Sequence, residues 1–228
     1  MSTPIISVII PTLNEVRELS EAVRRARANP EVGEVIVVDG GSGDGTPELA
    51  AQLNCRLLTS RPSRGGQMRL GAVQARGEVV MLLHADTWLP ADAGRALTRC
   101  LEDEAVVAGG FFKDFRDPTW FMRGSRARCA LRLRLGRRIL GDQAMFIRRA
   151  VLEQIGGVPE IELMEDFELC RRLRAVGRLA LANATVTTST RRFQKLGVIR
   201  TYLRMGWVTV RFRLGTPPRE LRRIYEKE

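Results

Sequence analysis

The run Val79 to Asp86, VVMLLHAD, constrains this chain more than any other stretch, because an unbroken block of apolar β-formers ends abruptly in a His and an Asp. A strand apolar on both faces belongs inside a parallel sheet covered by helices, and in open α/β sheets ligands bind beyond the carboxyl ends of the strands. His84 and Asp86 are two residues apart, so on an extended backbone they point to one side, about 6 to 7 Å apart along the strand. That is the outline of a metal or phosphate site.

The pattern around this strand repeats. Ile5 to Ile10 is apolar and stops at Pro11, and Thr12-Leu13-Asn14-Glu15 leads into an amphipathic segment from Val16 to Ala28. Val35 to Val38 is a second apolar run, ending at Asp39 and the turn GGSGDG, after which Thr46-Pro47-Glu48 reads as an N-cap with proline in the first helical turn. Cys55 to Thr59 reads as a third strand and Gln67 to Ala75 as a helix. Beyond residue 104, Val106 to Phe115, Gln143 to Ile147 and Ala184 to Thr190 read as strands, and Phe121 to Leu135 and Glu165 to Ala175 as helices. Alternating β and α elements predict an α/β fold with a Rossmann-like, mostly parallel, doubly wound sheet and right-handed crossovers, in a single domain covering 1–228. Val198 to Leu214 mixes aromatics and aliphatics with Arg200, Arg204, Arg211 and Arg213. Such a pattern fits an amphipathic helix folded back on the sheet, or one lying at a membrane surface.

The chain has 228 residues and a formal net charge of +11, unevenly distributed. Residues 1–110 hold 11 Arg against 14 acids, for −3, and residues 111–228 hold 26 Lys plus Arg against 12 acids, for +14. A field of that kind attracts phosphates on a nucleotide, an anionic acceptor or a membrane. Nucleic acid is an unsuitable partner: Arg123 to Arg138 carries seven Arg with no interleaved aromatic. No apolar stretch approaches the ~20 residues of a membrane span, and MSTPIISVII lacks the basic start of a signal peptide, so the expected location is cytoplasmic, with peripheral membrane contact as a further possibility. Cys55, Cys100, Cys129 and Cys170 are widely spaced and the chain has 1 His, which argues against a zinc site or a disulfide framework.

Three carboxylate positions stand out. Asp39 leaves a strand at a glycine-rich turn that matches a dinucleotide fingerprint poorly, since Thr46 stands where the third small residue belongs; there a carboxylate suits a nucleobase N–H or a ribose hydroxyl. Asp86 suits a divalent cation bridging diphosphate oxygens, Mn²⁺ or Mg²⁺, with His84 as second ligand favouring Mn²⁺. Met164-Glu165-Asp166-Phe167-Glu168 opens a basic helix, and a carboxylate in a first helical turn is stabilised as the anion that a general base requires.

SVIIPTLNE, VIVVDGGSGDGT, the GGQMRLGA to ARGEVVMLLHADTWLP stretch and MEDFELCRRLR, in this order over roughly residues 5 to 190, together resemble the family-2 glycosyltransferases of GT-A fold. The resemblance implies a nucleotide-diphosphate sugar donor (UDP- or GDP-linked), a divalent metal and inversion at the anomeric carbon. It places Pro11, Thr12, Glu15 and Asp39 at the nucleoside, Asp86 at the metal, and Asp166, beside Glu165, as the base that deprotonates the acceptor. It also divides the chain into a nucleotide-binding half, 1–110, and an acceptor half, 111–228. Arg64, in RPSRGG, is expected to pair with phosphate on the nucleotide side, and Asp142, Arg191 and Arg192 to face the acceptor, a small molecule or a lipid-linked one. Two departures stand out: His84 replaces the first Asp of the usual Asp-x-Asp metal motif, and Gly40 replaces the second Asp of the usual DDGS turn. The HADTxLP, GDQAMFIRR and LMEDFELCRRLR wording is similar to a small soluble subgroup labelled arsenosugar-biosynthesis glycosyltransferases, from which no acceptor follows. The alternatives are transfer to a polyprenyl phosphate at a membrane and a non-catalytic sugar-nucleotide binder.

Overall fold

In a computed structural model, residues 5–226 are described. Four strands build the first end of the sheet: β1 (Ile6–Thr12), β2 (Val32–Asp39), β3 (Arg56–Thr59) and β4 (Val79–Leu82). They pair in parallel in the order β3-β2-β1-β4. The chain therefore moves outward from β1 to β3 and then returns to the far side of β1, which makes the gap between β1 and β4 a topological switch point. The sheet continues through β7 (Met145–Arg148), antiparallel to β4, then β6 (Val106–Phe115), β8 (Arg178–Thr188) and the two-residue β5 (Thr87–Trp88). The result is a mostly parallel, helix-flanked α/β sheet of eight strands, with antiparallel pairs where β7 joins β4 and β6 and where β5 joins β8.

The strands are apolar on both faces because both faces are covered. Val8 and Ile10 of β1, Val37 of β2 and Val79 and Met81 of β4 pack on one side with α1 (Val16–Arg27) and α4 (Ala93–Cys100). Ile9, Ile36, Val38, Val80 and Leu82 pack on the other with α3 (Arg64–Gln74) and α7 (Glu165–Leu173). A third cluster joins Leu163 and Met164 to Val208 of α9 (Val198–Arg213) and Leu221 of α10 (Pro218–Glu226). The C-terminal helices thus fold over the start of α7.

Several expected boundaries shift for identifiable reasons. Strand β4 stops at Leu82, and the chain turns where the Thr87 N–H donates to the His84 carbonyl at 3.0 Å, so His84 and Asp86 lie on a turn and not on extended backbone. Helix α2 (Thr46–Gln52) is preceded by Gly45 at φ +90°; Thr46 is its first residue, accepting from the Glu15 N–H at 2.9 Å. Helix α5 (Ser125–Gly136) begins later than Phe121 because Gly124, at φ +75°, breaks the backbone before it. Gln143 lies in a short 3₁₀ turn, Gly141–Gln143, ahead of β7. Strand β8 starts at Arg178, six residues before Ala184, and Thr190 lies beyond its end. Helix α4 was not anticipated, nor was α6 (Arg149–Gln154); α8 (Arg191–Leu196) occupies the segment after β8. All four cysteines are free thiols. Met1 to Pro4, part of the reading of the N-terminus, lie outside the described residues.

Candidate active site

At the switch point the strand ends open into one large cleft of about 800 Å³. The exits of β1 and β4 form its floor, the loop before α7 one wall, and α9 and α10 a roof. Of the twelve residues singled out in the sequence, ten line it: Pro11, Thr12, Glu15, Arg64, His84 and Asp86, together with Asp142, Asp166, Arg191 and Arg192. Asp39 and Glu165 do not.

Asp39 is 2 % exposed and uses its acceptor capacity on its own turn and on Thr12 of β1. Its Oδ2 accepts from the Gly41 and Ser42 N–H groups at 2.8 Å, and its Oδ1 from the Ser42 hydroxyl at 2.5 Å and the Thr12 hydroxyl at 3.1 Å. Burial opposes the charge on Asp39, but these four bonds outweigh it and hold the carboxyl below its usual range. The residue therefore fixes the turn and the rotamer of Thr12, which does face the cleft. The side chain of Gln67 makes a similar brace, donating from Nε2 to the carbonyls of Thr12 and Val38 at 2.7 Å each. A Cβ on Gly40 would stand 3.2 Å from that nitrogen and 3.2 Å from Pro62 Cα, so the glycine in DGGS leaves room for this brace.

Asp86 faces a cation already. The guanidinium of Arg191 lies 3.4 Å from its Oδ2 and 2.8 Å from Glu15 Oε2, tying the start of α8 to the exits of β1 and β4. Burial raises the carboxyl of Glu15 above its usual range in spite of Arg191. His84 has a buried Nε2 with no hydrogen-bond partner, and burial followed by the nearby Arg64 charge lowers its pKa, favouring neutral imidazole. A carboxylate and a neutral, unsatisfied imidazole nitrogen at one strand exit suit a divalent cation that takes its remaining ligands from a diphosphate. No group of three or more His, Cys, Asp or Glu arranged for a metal occurs among the described residues.

Across the cleft, Asp166 occupies the first turn of α7. Its Oδ2 accepts from the Gly141 N–H at 3.0 Å and its Oδ1 from the Phe167 N–H at 2.9 Å. Burial, and then the adjacent Glu165 charge, push its pKa up to about 6 despite Arg64. Gly141 sits between the two chemistries: a Cβ there would stand 2.9 Å from His84 Nε2 and 3.9 Å from Asp166 Oδ2. Glu165 points away, 1 % exposed, with Arg64 Nε donating to its Oε1 at 2.5 Å and its Oε2 unpartnered. Its part is to anchor Arg64 at the cleft edge.

The structure adds residues that sequence reasoning missed. Lys113 of β6, 6 % exposed, holds Asp142 at 2.5 Å, and although burial opposes the charge, Lys113 keeps that carboxyl below its usual range. Arg128 and Arg132 of α5 also line the cleft; Arg128 donates to the Met122 and Arg123 carbonyls at 2.7 Å, and Arg132 donates to Gln143 Oε1 at 2.9 Å while its charge adds to that of Lys113 in holding Asp142 ionised. Their i, i+4 spacing in an arginine run was the available signal. Tyr202, Met205 and Thr209 of α9 and Tyr225 of α10 close the roof.

The mostly parallel, helix-flanked sheet with its cleft at the switch point is of the GT-A glycosyltransferase type. Residues 7–156 match the model of glycosyl transferase family 2, and the chain belongs to that family. Glycosyltransferase AglJ of Haloferax volcanii is 30 % identical over 151 residues, 64 % of this chain and 46 % of that protein. An undecaprenyl-phosphate 4-deoxy-4-formamido-L-arabinose transferase of Pseudomonas paraeruginosa is 30 % identical over 128 residues, 51 % of this chain and 38 % of its own length. The matched segments thus span less than half of these two relatives. Among solved structures, the mannosyltransferase PcManGT of Pyrobaculum calidifontis, in complex with GDP-Man and Mn²⁺, superposes with TM-score 0.70 at 21 % identity, covering 99 % of this chain and 69 % of that one.

Proposed function

We propose that the chain is an inverting, metal-dependent glycosyltransferase that moves a sugar from a UDP- or GDP-linked donor to a hydroxyl acceptor, with Asp166 as general base. The observation that carries this reading is the placement of Asp166, with its raised pKa and two N–H donors, in the same cleft as Asp86 and His84. PcManGT, of similar fold, is in complex with GDP-Man and Mn²⁺, which agrees with a donor and metal of these classes.

In this reading Pro11 and Thr12 form the nucleoside wall, with Asp39 and Gln67 holding Thr12 in place. Arg64, Arg191 and Arg192 attract the diphosphate. Asp86 and the His84 Nε2 would hold Mn²⁺ or Mg²⁺, which supplies charge neutralisation to the departing diphosphate. Asp166 takes the proton from the acceptor hydroxyl; the acceptor oxygen bonds to the anomeric carbon on the face opposite the nucleotide as the bond to the diphosphate oxygen breaks. Lys113 and Asp142, with Arg128 and Arg132, form the wall on which the acceptor rests. A lipid-linked acceptor is a second reading, favoured by the closing of the cleft by α9, whose opposite face exposes Leu203 and Trp207.

Release of free nucleotide from UDP- and GDP-sugars with Mn²⁺, compared between the wild type and Asp86→Ala, tests the proposal. Metal-stimulated turnover is expected in the wild type and its loss in the variant. Equal turnover in both would refute the metal-site assignment.

A further inference from the structure

Helix α9 has two apolar faces. One closes the cleft: Val208 is 2 % exposed, Phe212 packs edge-on against Phe167 at 5.9 Å, and Met205 lines the cavity. The other touches little. Ile199, Leu203, Trp207, Val210 and Leu214 are 61, 69, 56, 47 and 76 % exposed. Their spacings of four, four, three and four residues place all five within an arc of about 80° at 100° per residue. Five large apolar residues in one line are a patch, where scattered ones would need no explanation.

The borders of this stripe are basic. Arg200, Arg204 and Arg211 flank it on one side and Arg213 on the other, on the same helical geometry. No acidic residue occurs between Glu168 and Glu220, and although Glu220 pairs with Arg211 at 2.8 Å, Arg200, Arg204 and Arg213 leave the surround positive. No helix among the described residues is long and apolar enough to cross a membrane. An apolar line edged by arginines on a helix lying flat against its domain is the arrangement that sits in a bilayer interface, apolar residues among the acyl chains and guanidinium groups among the phosphates.

We infer that the outward face of α9 docks on the surface of an anionic lipid bilayer. Charge complementarity selects that occupant over a second copy of the chain. Pairing two such faces would bring two arginine borders together across the contact, and like charges there oppose association. A nucleic acid would satisfy the arginines but leave Ile199, Leu203 and Val210 without a partner. Trp207, at 56 % exposure, has the amphipathic ring that favours headgroup depth. The same helix lines the catalytic cleft from its inner face, so docking sets the cavity at the membrane surface, where a lipid-linked hydroxyl or phosphate acceptor would reach Asp166; this last consequence rests on the transferase reading, whereas the docking does not.

Co-flotation of the full chain with phosphatidylcholine vesicles, with and without phosphatidylglycerol, is the direct test. The wild type is expected to float with the phosphatidylglycerol vesicles and to be released by added salt, and to stay behind with phosphatidylcholine alone. The double variant Leu203→Glu with Trp207→Glu is expected to lose binding at least about tenfold, and Arg200→Gln with Arg213→Gln to lose about tenfold. Binding of UDP or GDP with Mn²⁺, measured in parallel, reports whether each variant is folded and stays unchanged; loss of that binding in the wild type would count against the transferase reading and leave the docking result standing. Wild-type protein that does not float, variants that float equally, or a wild-type dimer that Leu203→Glu with Trp207→Glu converts to monomer would each overturn the inference.

Discussion

Asp166 joins environment to chemistry in a single side chain. Burial and the neighbouring Glu165 push its pKa up to about 6, while the N–H groups of Gly141 and Phe167 hold its oxygens in place. A general base works only when deprotonated, so the sign is fixed: kcat/KM rises with pH through about 6 and levels off above it. Below that pH the proton on Asp166 blocks transfer from the acceptor. Asp166→Asn, which keeps the shape and loses the base, is expected to lower kcat by roughly 10²- to 10⁴-fold and to remove the acidic limb. Rate measurements between pH 5 and pH 8 check both; an unchanged profile in the variant would show that another group takes the proton. Nothing in the sequence announced this raised pKa, because its largest cause is burial, which exists only in the folded chain, with Glu165 adding to it and Arg64 and the Gly141 N–H acting against it. Asp39 shows the converse: a strand-end acid read as a ligand for the nucleoside accepts three bonds inside its own turn and a fourth from Thr12 of β1.

Among the elements, the starts of α3 and α7 are tied by one ion pair, Arg64 to Glu165. Glu165 is almost wholly buried with one oxygen unpartnered, so removing Arg64 leaves an uncompensated charge in the protein. Arg64 is itself 42 % exposed, and solvent moderates the effect. Arg64→Ala is expected to cost about 2 kcal/mol, or roughly 4 to 8 °C in Tm for a chain of this size, and Arg64→Ala with Glu165→Gln to recover most of it. Calorimetric scans of the three proteins test this, and a double variant no more stable than Arg64→Ala would show that the charge is not what matters. Strands β1, β2 and β4 were legible because they are apolar on both faces over a continuous run. Helix α9 was legible from its periodicity. Helix α4, in ADAGRALTRC, was not: it is only 8 residues long, about two turns, and its buried side is only Ala93, Gly94 and Leu97. The start of β8 was obscured in the same way, since RLALAN alternates weakly and its pairing to β6 is set by the sheet and not by composition.

At the scale of the molecule, the division of charge seen in the sequence acquires a geometry. The half running at −3 supplies the strand exits with Pro11, Glu15, His84 and Asp86, and the half running at +14 supplies Lys113, Arg128, Arg132, Arg191 and Arg192 around the same cavity. The order of motifs along the chain made the wall of Pro11, Thr12, Glu15, His84 and Asp86 readable from the sequence. Of the opposite wall only Asp142 was read from the sequence; Lys113, Arg128 and Arg132 come from β6 and α5, whose assembly depends on long-range packing that no local pattern encodes.

The central claim is that Asp86 and Asp166 serve one cleft in separable roles, one toward the metal and diphosphate and the other toward the acceptor. Calorimetric titration of UDP and GDP with Mn²⁺ into wild type, Asp86→Ala and Asp166→Asn tests it most directly. The account predicts Mn²⁺-dependent binding that Asp166→Asn retains within about twofold and Asp86→Ala weakens by roughly 10- to 100-fold. Binding that is equally Mn²⁺-dependent in Asp86→Ala, or lost in Asp166→Asn, would contradict it.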